Sequence, residues 1–553
     1  MTRIPLTQSA VQLVGADELI LNTSKEIVEP GFDQILCRVE AVGLCFSDLK
    51  LLKQFSSHVR KGPVISGIDQ EVLEKIPSYV PSELPAVPGH EAVVRVVAVG
   101  SGVDNIMEGG RYLVQTDYRW LRTSGSNAAF GYNFEGALQE YVLMDQRVIT
   151  SPEGRSMLVP ACERLSASSV ALVEPWACVE NAYSSPEREE IKEDGELLIY
   201  SDVEGTTLSL QKMLDSKAGP RRITWCSKRS VWLDIGQGIR RVESISELED
   251  QGYDDVIYFG SNAETIEALF GKVAARGLFN IVLCQGRVGR DVVTPVGRVH
   301  YGGIRIIGTT GEDWRESMGS VPKTGEIRSG DRIYIVGAGG PMGLMHVIRS
   351  ICSGVEGVGV TASDLDSKRM AVLRSVADPA ARKNSVGFET FDSDVPIADD
   401  RFDYAVLMVP VPELVVEAVR YSATNGIINI FAGIPASVSA KIDINSYIEK
   451  RLYFIGTSGS VLEDMEKVLG QTEAGRLDTD LSVAAISGLD GAAEGIKAVE
   501  NRTIAGKVIV YPCCKGLGLV RLEELGGRFP DVASCLDHGR WCKVAEDALL
   551  KVF

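Results

Sequence analysis

The strongest constraint on the fold is a glycine-rich run, Gly337-Ala338-Gly339-Gly340-Pro341-Met342-Gly343. It lies between a strand-like segment, Arg332–Val336, and a helix-compatible one, Leu344–Cys352. Strand, tight turn and helix in that order open a doubly wound α/β unit, and the run is read as its G-x-G-x-x-G fingerprint. Gly337 permits the turn, Gly339 lets the backbone approach a pyrophosphate, and Gly343 lets helix and strand pack closely. Gly340 and Met342 complete the loop, and Pro341 suits a first helical turn because its missing N–H has no partner there. Free N–H groups and the positive end of the helix dipole would then face the phosphates. The next strand ends at Asp364. A carboxylate there accepts from ribose hydroxyls and repels a 2′-phosphate, so NAD is expected rather than NADP; Lys368 and Arg369 close by temper that preference.

The β-α alternation occurs twice. A first pass reads as strands Glu196–Tyr200, Ile223–Cys226, Asp255–Phe259 and Phe279–Cys284, with a helix over Ala263–Ala275. A second pass reads as Arg332–Val336, Gly357–Ala362, Phe402–Val409 and Gly426–Phe431. IRIIGTTG at 304–311 matches LYFIGTSG at 452–459, an offset of 148 residues. A duplicated α/β unit is therefore expected. The first copy carries Tyr200-Ser201-Asp202-Val203-Glu204-Gly205 where the second has its turn. Two carboxylates there would repel a pyrophosphate, so this copy is read as a degenerate one that binds no dinucleotide.

Before these units, residues 1 to about 185 carry Val-heavy alternating runs such as Ile35–Val42 and Ala92–Val99, the pattern of a mostly β domain. The expected organisation is 1–186 as the first part of a β-rich catalytic domain, 187–325 and 326–470 as the two α/β units, and 471–553 as a return to the catalytic domain with an extension. The formal net charge of −18 argues against nucleic acid or an anionic membrane as the main partner. No apolar run is long enough to span a bilayer. The N-terminus does not read as a secretory signal, and eleven scattered cysteines fit reduced thiols, so a cytoplasmic location is expected. Cys535, His538 and Cys542 near the end read as ordinary thiols rather than a metal site.

Two short segments carry the chemistry: Cys45-Phe46-Ser47-Asp48-Leu49-Lys50 and Pro88-Gly89-His90-Glu91. A thiolate, an imidazole and a carboxylate suit a zinc ion with an open position. With Gly136–Val142, Val173-Glu174-Pro175 and the closing strand Gly506–Val510, they resemble the zinc-containing medium-chain dehydrogenase/reductase superfamily, in its polyol, threonine and ketose-phosphate reductase branch. The resemblance implies a GroES-like catalytic domain beside the Rossmann-like units. It also implies Cys45 and His90 as zinc ligands, Glu91 as a ligand or the acid behind His90, and Glu174 as a ligand directly or through water. Ser47 would begin a proton relay and Asp48 would orient the imidazole.

The chain departs from the family pattern in three ways. The interval between Cys45 and His90 is lengthened, and the extra piece, around Gln54–Pro85, would form a lid or part of the substrate wall. The Tyr118–Asn133 stretch has no cysteine, so no structural zinc is expected. Lys50 stands where many relatives place a relay histidine and would serve the cofactor ribose or a substrate phosphate. The implied activity is hydride transfer between NAD(H) and a secondary alcohol or ketone, on a sugar, polyol, cyclitol or their phosphates. The alternatives are a lyase or epimerase that retains its NAD, and a non-catalytic sugar or nucleotide binder. The cofactor-free first copy would also cover the sheet edge through which such subunits pair, so that the chain is a monomer or homo-oligomer with an internal imitation of a dimer partner.

Overall fold

The long Val-rich run at Gln34–Gly43 becomes the central strand of an eight-stranded sheet. Ile35, Leu36, Cys37, Val39, Ala41 and Val42 are all buried, so the strand is covered on both faces rather than alternating between core and solvent. In this computed structural model, residues 4–203, 219–227, 239–391, 397–457 and 459–553 are described; Glu204, Gly205 and Ser458 of the motifs above lie outside them. The chain divides into two compact units, one formed by Met1–Ala177 with Ser460–Phe553 and the other by Cys178–Gly459.

In the first unit the strand order is Val520–Arg521, Val483–Ser487, Lys507–Val510, Gln34–Gly43, Glu91–Val99, Arg111–Val114 and Leu158–Pro160, and Tyr141–Asp145 also pairs with Gln34–Gly43. The register sets Gly43 opposite both Glu91 and Ile509. Residues far apart in sequence therefore meet at one end of the sheet. The inserted piece is tied down, not loose. Val80 N–H donates to Asn133 O at 2.8 Å, Asn133 Nδ2 to Gly62 O at 3.0 Å, and Ile65 N–H to Arg122 O at 2.7 Å. Lys61, fully buried within it, donates to the carbonyls of Val80 and Leu84. Burial pushes its pKa down to about 8.

The second unit holds two six-stranded parallel sheets. One has the order Ile239–Val242, Arg222–Ser227, Glu196–Ser201, Tyr253–Phe259, Val273–Val282, Arg305–Thr309. The other has Gly387–Phe391, Gly359–Ser363, Arg332–Val336, Phe402–Leu407, Ser422–Ile430, Tyr453–Ile455. The crossover pattern is the same, and so are its irregularities: the register slips between Tyr253 and Asp255 in one sheet and between Phe402 and Tyr404 in the other. Asp254 Oδ2 accepts the N–H of Glu196 at the start of its strand, and Asp403 Oδ2 accepts that of Arg332 at the matching place. The helix expected over Ala263–Ala275 is shorter, Ala263–Phe270, because Gly271 ends it and Val273 already begins a strand.

The two sheets meet through reciprocal contacts. Val292–Thr294 pairs antiparallel with Ala440–Ile442, Val293 facing Lys441 at the centre. A Cβ on Gly308 would fall 2.7 Å from Ile448 Cδ1, and one on Gly456 would fall 2.8 Å from His300 Cα. Val293 and Lys441, Gly308 and Gly456, His300 and Ile448 all differ by 148 positions. Each contact thus has its mirror partner, the signature of an isologous two-fold interface. One buried core runs through both sheets, from Leu198 and Tyr258 to Tyr447 and Phe454.

Candidate metal centre and dinucleotide turn

Cys45 caps the helix Phe46–Gln54, directly after the central strand. Asp48, on the first turn of that helix, accepts the Cys45 N–H through Oδ2 at 2.9 Å and the Gly89 N–H through Oδ1 at 3.2 Å. It so fastens the loop bearing the thiol to the loop bearing the imidazole. Asp48 Oδ1 also lies 3.4 Å from His90 Nδ1. Potential donor atoms of Cys45, His90 and Glu91 all lie within 4.8 Å of one another. Among the described residues this is the one His/Cys/Asp/Glu group so arranged. Ser47 Oγ lies 3.5 Å from Cys45 Sγ.

His90 Nδ1 and Glu91 Oε2 are buried without a hydrogen-bond partner. Burial works against the imidazolium, yet Tyr132, Asp48 and Cys45 outweigh it and hold the His90 pKa well above its usual range. A soft thiolate, an imidazole and an unfilled carboxylate oxygen in one buried place fit a zinc ion. Glu174, on the helix Val173–Ser184, is buried nearby but outside the close trio. Burial pushes its pKa up to about 7, against the pull of His90 and with a further push from Glu91.

Sequence reasoning missed four neighbours. Lys507 Nζ donates to Glu91 Oε1 at 2.5 Å in a buried ion pair between positions 416 apart in the chain. Tyr132 packs its ring against His90, centroid to centroid 5.7 Å. His58 and Arg60, from the inserted piece, pack on the same ring. The Gly506–Val510 strand was visible as a motif, but only sheet register could reveal that its lysine meets Glu91. Lys50 is exposed, with its ammonium 5.7 Å from the Phe46 ring.

In the second unit, Gly337–Gly340 forms the turn and the helix Pro341–Ile351 follows, with Pro341 in its first turn and Gly340 as its cap. Three residues, not two, separate Gly339 from Gly343, so the loop is one longer than the strict G-x-G-x-x-G spacing. The packing roles survive. Gly337 has φ +80°, where a side chain would also strike Val409 Cγ2 at 2.4 Å, and a Cβ on Gly343 would meet Ala338 Cα at 2.7 Å. A Cβ on Gly339 would meet Arg369 Cβ at 2.7 Å, and its N–H donates to Asp364 Oδ2 at 2.9 Å. Asp364 thus stands at the turn itself. Lys368 and Arg369 begin the next helix, their N–H groups held by Asp366. At the matching place in the other sheet, Asp202 accepts the Tyr258 hydroxyl at 2.8 Å.

Residues 31–153 match the family described as the alcohol dehydrogenase GroES-like domain. That match, with parallel sheets and a glycine turn, supports the medium-chain dehydrogenase/reductase superfamily. Within curated proteins it is 26% identical over 248 residues to the uncharacterized protein YggP of Escherichia coli (strain K12), covering 41% of this chain and 58% of that one. It is 26% identical over 257 residues to the L-sorbose 1-phosphate reductase of Klebsiella pneumoniae, covering 44% of this chain and 61% of that protein. The chain therefore spans about six-tenths of the length of these relatives. The structure of 2R,3R-butanediol dehydrogenase from Bacillus subtilis shares the fold at 15% identity, with a TM-score of 0.52 over 92% of this chain and 100% of that one. No helix among the described residues is long and apolar enough to cross a membrane.

Proposed function

We propose that the chain is a zinc-dependent dehydrogenase or reductase that passes a hydride between NAD(H) and a secondary alcohol or ketone, of the sugar, polyol or cyclitol kind or their phosphates. The observation that carries this is the Cys45–His90–Glu91 group, whose donor atoms lie within 4.8 Å of one another and whose Glu91 Oε2 is buried without a partner. Cys45 and His90 would hold the metal, with Glu91 Oε2 or Glu174 as the third ligand. A bound zinc supplies Lewis acidity toward the substrate oxygen, and the nicotinamide supplies the hydride acceptor. Ser47, beside Cys45, would hydrogen-bond the substrate hydroxyl and begin the proton relay. Asp48 fixes the two ligand-bearing loops. Lys507 holds Glu91 in place through its ion pair. The backbone at Gly337–Gly340 receives the pyrophosphate, while Asp364 binds the ribose hydroxyls and favours NAD.

The first α/β unit, 187–325, is read as a degenerate copy that binds no dinucleotide. Asp202, held by Tyr258, keeps a carboxylate where a pyrophosphate would need positive charge. In this reading it serves instead as a built-in counterpart of a dimer partner, a role supported by the reciprocal contacts between the sheets. Sedimentation should then find no dimer built through the Arg305–Thr309 or Tyr453–Ile455 strands; such a dimer would refute the role. For the activity, absorbance at 340 nm with polyols and ketose phosphates should report NADH turnover in the wild type and none in Cys45→Ala. Equal turnover in both would refute the metal reading.

A further inference from the structure

In the sheet that carries the glycine turn, the strand order reverses between Arg332–Val336 and Phe402–Leu407. The next strands in the chain lie on one side of Arg332–Val336, and the later ones on the other. A dinucleotide lies across the carboxyl ends of the strands at such a reversal. Asp364, just past the end of Gly359–Ser363, marks the adenosine side. The nicotinamide half therefore belongs on the opposite side, over the ends of Phe402–Leu407 and Ser422–Ile430. Neighbouring strands are about 5 Å apart, which puts Ser422–Ile430 about 10 Å from the turn.

Part of what stands at that end comes from the first α/β unit. Gly433 is exposed, three residues past the end of Ser422–Ile430, and a Cβ on it would fall 2.6 Å from the Tyr301 hydroxyl. Its φ is not left-handed, so the backbone does not demand a glycine there; the missing side chain makes room for the tyrosine. His300 Nδ1 donates to the carbonyl of Ile430, the last residue of the strand, at 3.2 Å. Its ring stands edge-on to that of Tyr301, centroid to centroid 4.6 Å. Tyr301 is 47% exposed, and its hydroxyl makes no hydrogen bond to the described residues.

The two-fold relation between the sheets sharpens this. At the 148-residue offset, His300 and Tyr301 correspond to Ile448 and Glu449. Ile448 packs at Gly308, and Glu449 forms an ion pair with Arg287, which lies beyond the end of the matching strand, Val273–Val282. One strand end is thus closed by an ion pair. The other, in the sheet with the glycine turn, faces a hydroxyl that can donate to an amide carbonyl or accept from an amide or a ribose hydroxyl.

We propose that the first α/β unit completes the dinucleotide site of the second: the Tyr301 hydroxyl, seated at Gly433, hydrogen-bonds the nicotinamide-riboside half of NAD(H). This rests on the dehydrogenase reading and gives the degenerate copy a share in cofactor binding, beyond its part as a built-in partner.

The test titrates the full, zinc-loaded chain by calorimetry with NADH and with ADP, which ends at the pyrophosphate. Tyr301→Phe, a change at an exposed site that keeps the ring, should raise the dissociation constant of NADH about fivefold, as the loss of one hydrogen bond does, and leave that of ADP unchanged. NADH affinity untouched by Tyr301→Phe overturns the proposal. So does an equal loss for both ligands, which would make Tyr301 a structural residue rather than a contact of the nicotinamide half. A wild-type chain that binds no NADH would instead overturn the dehydrogenase reading, so the two failures are told apart.

Discussion

Replacing Lys507 by methionine removes the cation from the buried pair that it forms with Glu91 of the Cys45–His90–Glu91 group. The Nζ–Oε1 distance is 2.5 Å, and both side chains are almost wholly shielded from water. At an effective dielectric of about 20, unit charges at that separation attract by roughly 6–7 kcal/mol, most of which is offset by desolvation. Loss of one partner leaves Glu91 as a buried, uncompensated charge, a change that costs about 3–5 kcal/mol. For a unit of this size the melting midpoint should fall by about 5–10 °C. Glu91→Gln in the same background should recover most of the loss, since it removes the stranded charge. The double-mutant cycle, read by denaturant unfolding of chelator-treated protein, isolates the pair. A Lys507→Met variant as stable as wild type, or a double variant no better than the single, would refute the role assigned to Lys507.

Two further outcomes follow from particular contacts. Gly339→Ala puts a methyl group 2.7 Å from Arg369 Cβ and over the phosphate approach, so NADH affinity measured by fluorescence titration should fall by about tenfold or more, with metal content unchanged. Asp480 is buried against Ser166 and Ser168, and burial, with Asp478 and Glu546 near it, pushes its pKa up to about 8. A raised folded-state pKa means the folded chain holds the proton more tightly. Its stabilising contribution is full below pH 4 and is lost as pH rises toward 8. Asp480→Asn should flatten that decline in a series of thermal melts, and an unchanged slope would count against it.

Much of the molecule is legible in the chain because its signals are local. The turn at Gly337, the strands that flank it and the 148-residue repeat are read directly from short segments. Cys45, His90 and Glu91 are likewise found from two brief motifs. Lys507, His58, Arg60 and Tyr132 are not, since only the pairing of Gly43 with Glu91 and Ile509 and the docking of the insertion bring them near. The overlong helix expected at Ala263–Ala275 has a related cause. Its last residues are apolar enough for either state, and pairing of Tyr253 with Val273 in the sheet decides for a strand.

The most direct measurement is native mass spectrometry of the full chain with excess NADH. One zinc and one dinucleotide per chain are expected, the zinc absent from Cys45→Ala and the dinucleotide weakened in Gly339→Ala. Two dinucleotides per chain would contradict the single cofactor site, and a wild-type chain that holds no metal would contradict the chemistry assigned to Cys45, His90 and Glu91.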